Sequence, residues 1–408
     1  MRILITGGAG FIGSYLSEAY IERGEEVWAI DDLSTGSLDN IAPLLQHPRF
    51  HFVNDTILNR EVLLELTGTC DVIVHLAAAV GVRLIIEEPL KSIHTNVVGT
   101  ELVLEMANKF RKKTFIASTS EVYGRNSKVP LNEDDQRIYG STVLARWSYA
   151  ATKAMDEFLA LAYYRTKQLP VIITRFFNTV GPRQTGRYGM VIPRFVGQAL
   201  RNDPITVFGD GSQTRTFTYV GDVVKGIIAL IDEPQAVGEI FNIGGEEEIT
   251  IDNLASRVKA VTGSSSRIEH IPYSEAYQEG FEDMERRVPD ITKIRRLVAY
   301  RNTCDVDAIL AKVVEFERTR YLSSATMSWG NTTLRITWAR STGESMSISQ
   351  GASSAAAHGK AKSRRCSWSS ATFQAAGSST SAAETGSSCG RWILSGGNGS
   401  ALNVRRRP

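Results

Sequence analysis

The sequence predicts an α/β protein, a doubly wound parallel sheet (Rossmann type) followed by a smaller, discontinuous substrate domain. Three observations predict it. An apolar run from Arg2 to Thr6 passes through Gly7-Gly8-Ala9-Gly10-Phe11-Ile12-Gly13 into an amphipathic segment ending near Ile21, which reads as strand, tight turn and helix. A second apolar run, Glu26 to Ile30, ends in Asp31-Asp32. Further short apolar runs at 50–53, 72–76, 114–117 and 171–174 alternate with segments of helical period. Strands that alternate with helices build parallel sheets.

The glycine turn comes first. Glycines let backbone approach a pyrophosphate closely, and the following helix N-terminus offers free amides and a partial positive charge. Gly7, Gly10, Phe11, Ile12 and Gly13 are therefore candidate cofactor-binding residues. Asp31 lies 18 positions after Gly13, close to the roughly 20 expected for a carboxylate on the adenosine ribose. An acid there repels a 2′-phosphate, so the sequence favours NAD over NADP. After the run Val72 to Leu76, the small residues Ala77-Ala78-Ala79 leave room for a cofactor beside the backbone.

Trp147-Ser148-Tyr149-Ala150-Ala151-Thr152-Lys153 sets a phenol and an amine four positions apart, which places them on one face of a helix. A tyrosine is only about 0.1% phenolate at pH 7 and needs a nearby cation to accept a proton. Lys153 is placed to supply it. Met155, Phe158, Leu159 and Ala162 come next at helical spacing and predict a second, buried face. Leu102, Val103, Met106 and Phe110 predict another helix, with Asn96 at its start.

Taken together, the glycine turn, Ser118-Thr119-Ser120-Glu121-Val122-Tyr123-Gly124, the Tyr149/Lys153 pair and the block Val207 to Val223 resemble the extended short-chain dehydrogenase/reductases, specifically their nucleotide-sugar epimerases, dehydratases and decarboxylases. The resemblance runs from Met1 to about Arg318. It implies an NAD-binding domain over 1–178, with 215–245 returning to it, and a nucleotide-sugar domain over 179–214 and 246–318. Asp55 would contact adenine, Asn96 would support the cofactor and active-site region, Lys153 would also face the cofactor, and Thr119 would hydrogen-bond the reacting sugar hydroxyl. Asn178, Val191 on the uridine-side wall, Arg215 at the diphosphate and Arg287 at the far wall would bind substrate. Arg286 would lie near that wall too. The implied partner is a UDP-type nucleotide-diphosphate sugar, and the implied assembly is a homodimer through the helix near Thr100 and the Tyr149 helix. Neither nucleic acid nor a membrane partner is expected.

Family members oxidise a sugar hydroxyl, usually on carbon 4, and differ in the fate of the resulting keto sugar. A 4,6-dehydratase carries Asp before the Glu, where this chain has Ser120. A 4-epimerase needs only rotation of the keto sugar, and small residues suffice beside Thr119. UDP-glucuronate decarboxylases carry Thr-Ser-Glu, as at Thr119, Ser120 and Glu121, together with an arginine matching Arg287. Decarboxylation of UDP-glucuronate to UDP-xylose is the best fit. The 4-epimerase stays open, because the helix text Ala-Ala-Thr-Lys-Ala-Met-Asp-Glu-Phe departs from typical decarboxylases and Arg287 also matches a diphosphate-binding arginine. A non-catalytic NAD-binding module is the reading from another class, and the presence of Thr119, Tyr149 and Lys153 argues against it.

Composition bounds the rest. With 408 residues and 42% apolar content, the chain exceeds one average domain and can pack a core. Residues 321–408 hold no Asp, two Glu, eight Arg and two Lys, a formal +8; the whole chain is +2, which leaves −6 for residues 1–320. Beyond Arg318 Ser, Ala, Gly, Thr and Arg dominate, and residues 319–408 read as a disordered basic extension or as the product of a reading-frame shift. Cys70, Cys304, Cys366 and Cys389 have no metal-like spacing, so neither a metal nor a disulfide is expected. Met1 leads directly into a strand, and no run reaches 18 apolar residues, which points to a cytoplasmic protein.

Overall fold

Alternating strands and helices settle into a seven-stranded sheet because each strand is apolar on both faces and needs cover on both. The computed structural model describes residues 1–81, 87–186, 190–276, 284, 286–325 and seven strands within 327–406. The sheet contains β1 (Arg2–Thr6), β2 (Glu26–Ile30), β3 (Phe50–Val53), β4 (Val72–His75), β5 (Lys113–Thr119), β6 (Val171–Phe176) and the strand Ile240–Ile243. Its order is Ile240–Ile243, β6, β5, β4, β1, β2, β3, and every pairing is parallel. The order reverses between β1 and β4, which opens a crevice at the carboxyl ends of the strands.

Strand alternation splits the core in two. Ile3 and Ile5 face the helices Phe11–Glu22 and Val220–Asp232, through Leu16, Tyr20, Val223 and Ile227. Leu4 points the other way, into a cluster with Leu63, Leu66, Val103, Leu104 and Ala160. Each fully buried Ile, Leu or Val side chain among these contributes roughly 1.5–3 kcal/mol relative to exposure. A third apolar cluster, built from Ile192, Phe195, Val196, Val207, Leu254, Val258, Ile309, Leu310 and Val313, forms a smaller lobe after the main sheet. In that lobe Ile205–Phe208 pairs with Ile268–Ile271, and Thr214–Thr216 pairs with Glu248–Thr250. Residues Met1–Glu317 form one compact unit.

Two expectations are corrected. The helix carrying Asn96 begins at Pro89, not at Asn96, because Pro89 at its first position favours initiation. Asn96 is therefore a buried mid-helix residue. In the helix Ser148–Lys167 the inward face is Tyr149, Thr152, Lys153, Asp156, Glu157 and Ala160, while Met155 is 48% and Phe158 59% exposed. The polar face turns in because its charges find partners there.

The second unit, Arg318–Pro408, has described strands at Met327–Trp329, Thr332–Ala339 and Ser345–Gln350, which pair antiparallel, and two further antiparallel pairs, Thr372–Ala376 with Ser379–Ala383 and Trp392–Gly397 with Ser400–Arg406. Much of the stretch read from sequence as a disordered or frame-shifted tail, including Cys366 and Cys389, lies outside the described residues.

Candidate active site

A cavity of about 470 Å³ opens over the carboxyl ends of the strands, within the range of small-molecule sites. Its floor is the glycine turn. Gly7 has φ +73°, and a Cβ there would lie 2.9 Å from the Ala77 amide nitrogen. A Cβ at Gly13 would lie 2.1 Å from the Gly7 carbonyl oxygen. Side chains there would collide with the turn's own backbone and force it open, and the first-turn amides of the helix Phe11–Glu22 have no partner within that helix. Gly7, Gly10, Phe11, Ile12, Gly13, Asp31 and Ala77 all line the cavity. A dinucleotide diphosphate fits that donor set.

Asp31 is buried, and its oxygens accept from the Ala9 and Leu33 amides at 3.0 and 2.8 Å. Burial pushes this carboxyl up, and the amides offset that only in part. Asp55 lines a smaller adjoining cavity of about 260 Å³ that shares Gly7, Asp31 and Ala77 with the main one. Asn96 lines neither. Its side chain accepts from the Ala79 amide at 2.8 Å and donates to the Ala79 carbonyl at 3.3 Å, so it fixes the backbone just beyond Ala77.

The opposite wall carries Thr119, Ser120, Glu121, Tyr149 and Lys153. Thr119 ends β5, and its hydroxyl accepts from the Glu121 amide at 3.2 Å, capping the short turn Ser120–Tyr123. Tyr149 and Lys153 share the inner face of their helix, one turn apart. Arg287, 167 positions from Ser120 in sequence, meets this turn from the far wall. Its Nη1 lies 3.0 Å from Glu121 Oε1 and 3.5 Å from the Ser120 hydroxyl. Arg286, expected beside it, instead points outward and pairs with Glu248 at 2.7 Å.

The remaining candidates stand on the smaller-lobe side of the same cavity: Asn178, Val191 and Arg215. Asn178 donates to the Thr216 carbonyl at 2.9 Å and Arg215 to the Thr214 carbonyl at 2.8 Å, which aims both side chains. Phe208, Tyr273 and Arg194 line this end too, and the Arg194 guanidinium sits 3.8 Å from the Phe208 ring centre.

Sequence reading missed the support behind the wall. Lys153 Nζ pairs with Asp156 Oδ2 at 2.8 Å, both buried. Glu157 accepts from Ser118 at 2.6 Å and from the Arg175 fork at 2.9 and 2.8 Å, and Arg137 joins at 2.6 Å. Burial alone would push Glu157 up, but the hydrogen bonds and charge of Arg175, with Ser118 and Arg137, together outweigh it and hold the carboxyl below its usual range. The signal available was three carboxylate or ammonium groups at Lys153, Asp156 and Glu157 on one helical turn, a charge density that demands partners when buried. Among the described residues no group of three His, Cys, Asp or Glu could hold a metal ion, and no helix is long and apolar enough to cross a membrane.

The sequence model of the family described as GDP-mannose 4,6 dehydratase matches residues 4–313. The chain belongs to this family. Among its relatives in the family, a UDP-N-acetyl-alpha-D-glucosaminuronate decarboxylase of Bacillus cytotoxicus is 42% identical over 318 residues, 78% of this chain and 98% of that protein. UDP-glucuronic acid decarboxylase 1 of Arabidopsis thaliana is 37% identical over 326 residues, 79% of this chain and 71% of that one. A solved UDP-glucuronic acid 4-epimerase of Bacillus cereus, in complex with UDP-glucuronic acid and NAD, superposes with a TM-score of 0.71 at 32% identity, covering 79% of this chain and all of that one. These findings bear out the expected nucleotide-sugar group and the parallel-sheet fold, and they support an enzyme that decarboxylates, with the epimerase fitting the alternative.

Proposed function

We propose that this chain decarboxylates a UDP-linked hexuronate through a transient 4-keto sugar. The observation that carries the reading is Arg287 standing over Ser120 and Glu121 in the cavity that Tyr149 and Lys153 also line. A guanidinium is suited to a substrate carboxylate, and Thr119-Ser120-Glu121 with Arg287 matches the decarboxylase pattern, whereas a 4,6-dehydratase carries Asp where this chain has Ser120.

The glycine turn, Asp31, Ala77 and Lys153, which all line the cavity, would hold NAD. Bound there, NAD would supply the hydride acceptor for carbon 4. Tyr149, ionised under the influence of Lys153, takes the proton of the carbon 4 hydroxyl, and Thr119 orients that hydroxyl. The ketone makes the carbon 5 carboxylate a β-keto acid. Its carbon–carbon bond breaks, carbon dioxide leaves, and the electron pair delocalises into the ketone. Arg287 holds the carboxylate for that step, Ser120 and Glu121 position the ring and the proton delivered to carbon 5 in place of the lost carboxylate, and Tyr149 gives its proton back to the carbon 4 oxygen when the ketone is reduced. Asn178, Val191 and Arg215 hold the uridine diphosphate.

UDP-glucuronate, giving UDP-xylose, is the substrate read from Thr119-Ser120-Glu121. Its 2-acetamido counterpart is favoured by the 42% identity to the Bacillus cytotoxicus enzyme. Full-length protein with NAD, given each uronate separately, is expected to release carbon dioxide from one or both. Epimerised uronate without carbon dioxide would instead support the 4-epimerase reading, which the 32% identity to the Bacillus cereus enzyme favours. Tyr149→Phe is expected to abolish turnover with either substrate.

The exposed apolar side chains of Leu90, Ile93, Met155 and Phe158, on the helices Pro89–Phe110 and Ser148–Lys167, support a homodimer through these helices in a cytoplasmic enzyme. Residues 319–408 take no part in this reading. That the 318 matched residues already cover 98% of the Bacillus cytotoxicus relative supports a frame-shifted origin for them, which resequencing the gene near residue 320 tests.

A further inference from the structure

Lys153 is 2% exposed and Asp156 is 0% exposed, three residues apart on one helix. An ammonium removed from water is disfavoured and gives up its proton unless an opposite charge stays close. Asp156 Oδ2 is that charge, 2.8 Å away, while Oδ1 is buried with no hydrogen-bond partner among the described residues. Lys153 is the cation this carboxylate faces at short range, and Thr100 lies beside it as a hydrogen-bond donor. Burial pushes the Asp156 carboxyl up, and Lys153 and Thr100 oppose that in part.

Among the described residues, the other elements packed around the pair supply no second counter-charge. His75, at the end of β4, bonds Thr6 at 2.8 Å and Thr100 at 2.9 Å and is held neutral, its pKa pushed down to about 3 by burial and by Lys153. Glu157, the next acid on the helix, is taken by Arg175 from β6 and by Arg137. Tyr149, one turn back, is the group whose ionised form the lysine must favour.

We propose that Asp156 is a positioning residue for catalysis: it keeps the buried Lys153 ammonium charged and fixed on the cavity wall that it shares with Tyr149. This rests on the acid–base reading of Tyr149 and Lys153. An ammonium has three donors, so the pair leaves two for the cofactor side of the cavity. The lysine's charge is then maintained by a group that touches neither cofactor nor substrate.

The test uses full-length protein with NAD and the uronate that releases carbon dioxide. In Asp156→Asn the alkaline limb of the kcat profile is expected to move to lower pH, because the unpaired ammonium loses its proton sooner. A move of one pH unit lowers kcat about tenfold on that limb, with KM for the uronate held within about twofold. Asp156→Glu is expected to restore the limb. A merely structural role would lower the whole profile and leave the limb in place, and that result overturns the proposal.

A cofactor-free readout accompanies it. Lys153→Met/Asp156→Asn, which removes both charges, is expected to melt above Asp156→Asn, including when the single variant does not fold. A double variant no more stable than the single one refutes the pairing. Activity surviving in Tyr149→Phe would refute the acid–base reading itself, whereas an unmoved alkaline limb with an inactive Tyr149→Phe refutes only the role of Asp156.

Discussion

Arg287→Gln separates the two roles an arginine could have in this cavity. The guanidinium is buried and lies 3.0 Å from Glu121 Oε1, so the substrate carboxylate must share or replace an existing ion pair. A hydrogen bond to a charged group is worth about 1.5–3 kcal/mol, and about 1.4 kcal/mol is tenfold. Losing one such contact predicts a fall in kcat/KM for the uronate of about tenfold to a hundredfold. Glu121 acts in the same direction, since removing Arg287 takes away one positive charge that offsets its carboxylate as the substrate carboxylate arrives. The assay is carbon dioxide release over a range of uronate concentrations, run beside competitive inhibition by UDP, which has no hexuronate. UDP inhibition is expected to stay within about twofold of wild type. If UDP binding weakens in the same ratio as kcat/KM, Arg287 holds the diphosphate and the carboxylate argument fails; a uronate kcat/KM within about threefold of wild type refutes it as well.

The same geometry sets further outcomes. Gly13→Ala places a methyl 2.1 Å from the Gly7 carbonyl oxygen, so the rise in melting temperature produced by saturating NAD, worth about 2.7 kcal/mol at a hundred times Kd, is expected to disappear. His75 titrates near 3 when folded because it is buried and beside Lys153, against about 6.5 unfolded. Only the unfolded chain takes that proton between those values, so the stability it contributes is whole above about pH 6.5 and falls by about 1.4 kcal/mol per unit as pH drops towards 3. Denaturant melts of His75→Gln should lack one proton's worth of that slope; an unchanged slope contradicts a buried neutral imidazole. For the homodimer proposed above, sedimentation is expected to give a dimer for the wild type and a monomer for Phe158→Glu, at a 59% exposed position; a monomeric wild type, or a variant of unaltered mass, refutes an interface through this helix.

Much of this molecule can be read directly from the chain. The run from Arg2 through Gly13 needs only neighbours to specify strand, turn and helix, and a four-residue interval is enough to put Tyr149 and Lys153 on one side of a helix. Such features are local, so periodicity and backbone geometry decide them. Periodicity says which residues share a face but not which face turns inward. The Met155 and Phe158 side was expected inside and stands outside, because Arg175 and Arg137 neutralise Glu157 and allow the charged side to be buried. The encounter of Arg287 with Ser120 and Glu121, across 167 positions, depends on how the smaller lobe closes over the sheet. The Asp156 contact with Lys153 has no meaning until burial removes the water that would otherwise solvate both. Long-range closure and desolvation are properties of the packed chain, and they turn a recognisable set of residues into a site with directed charge.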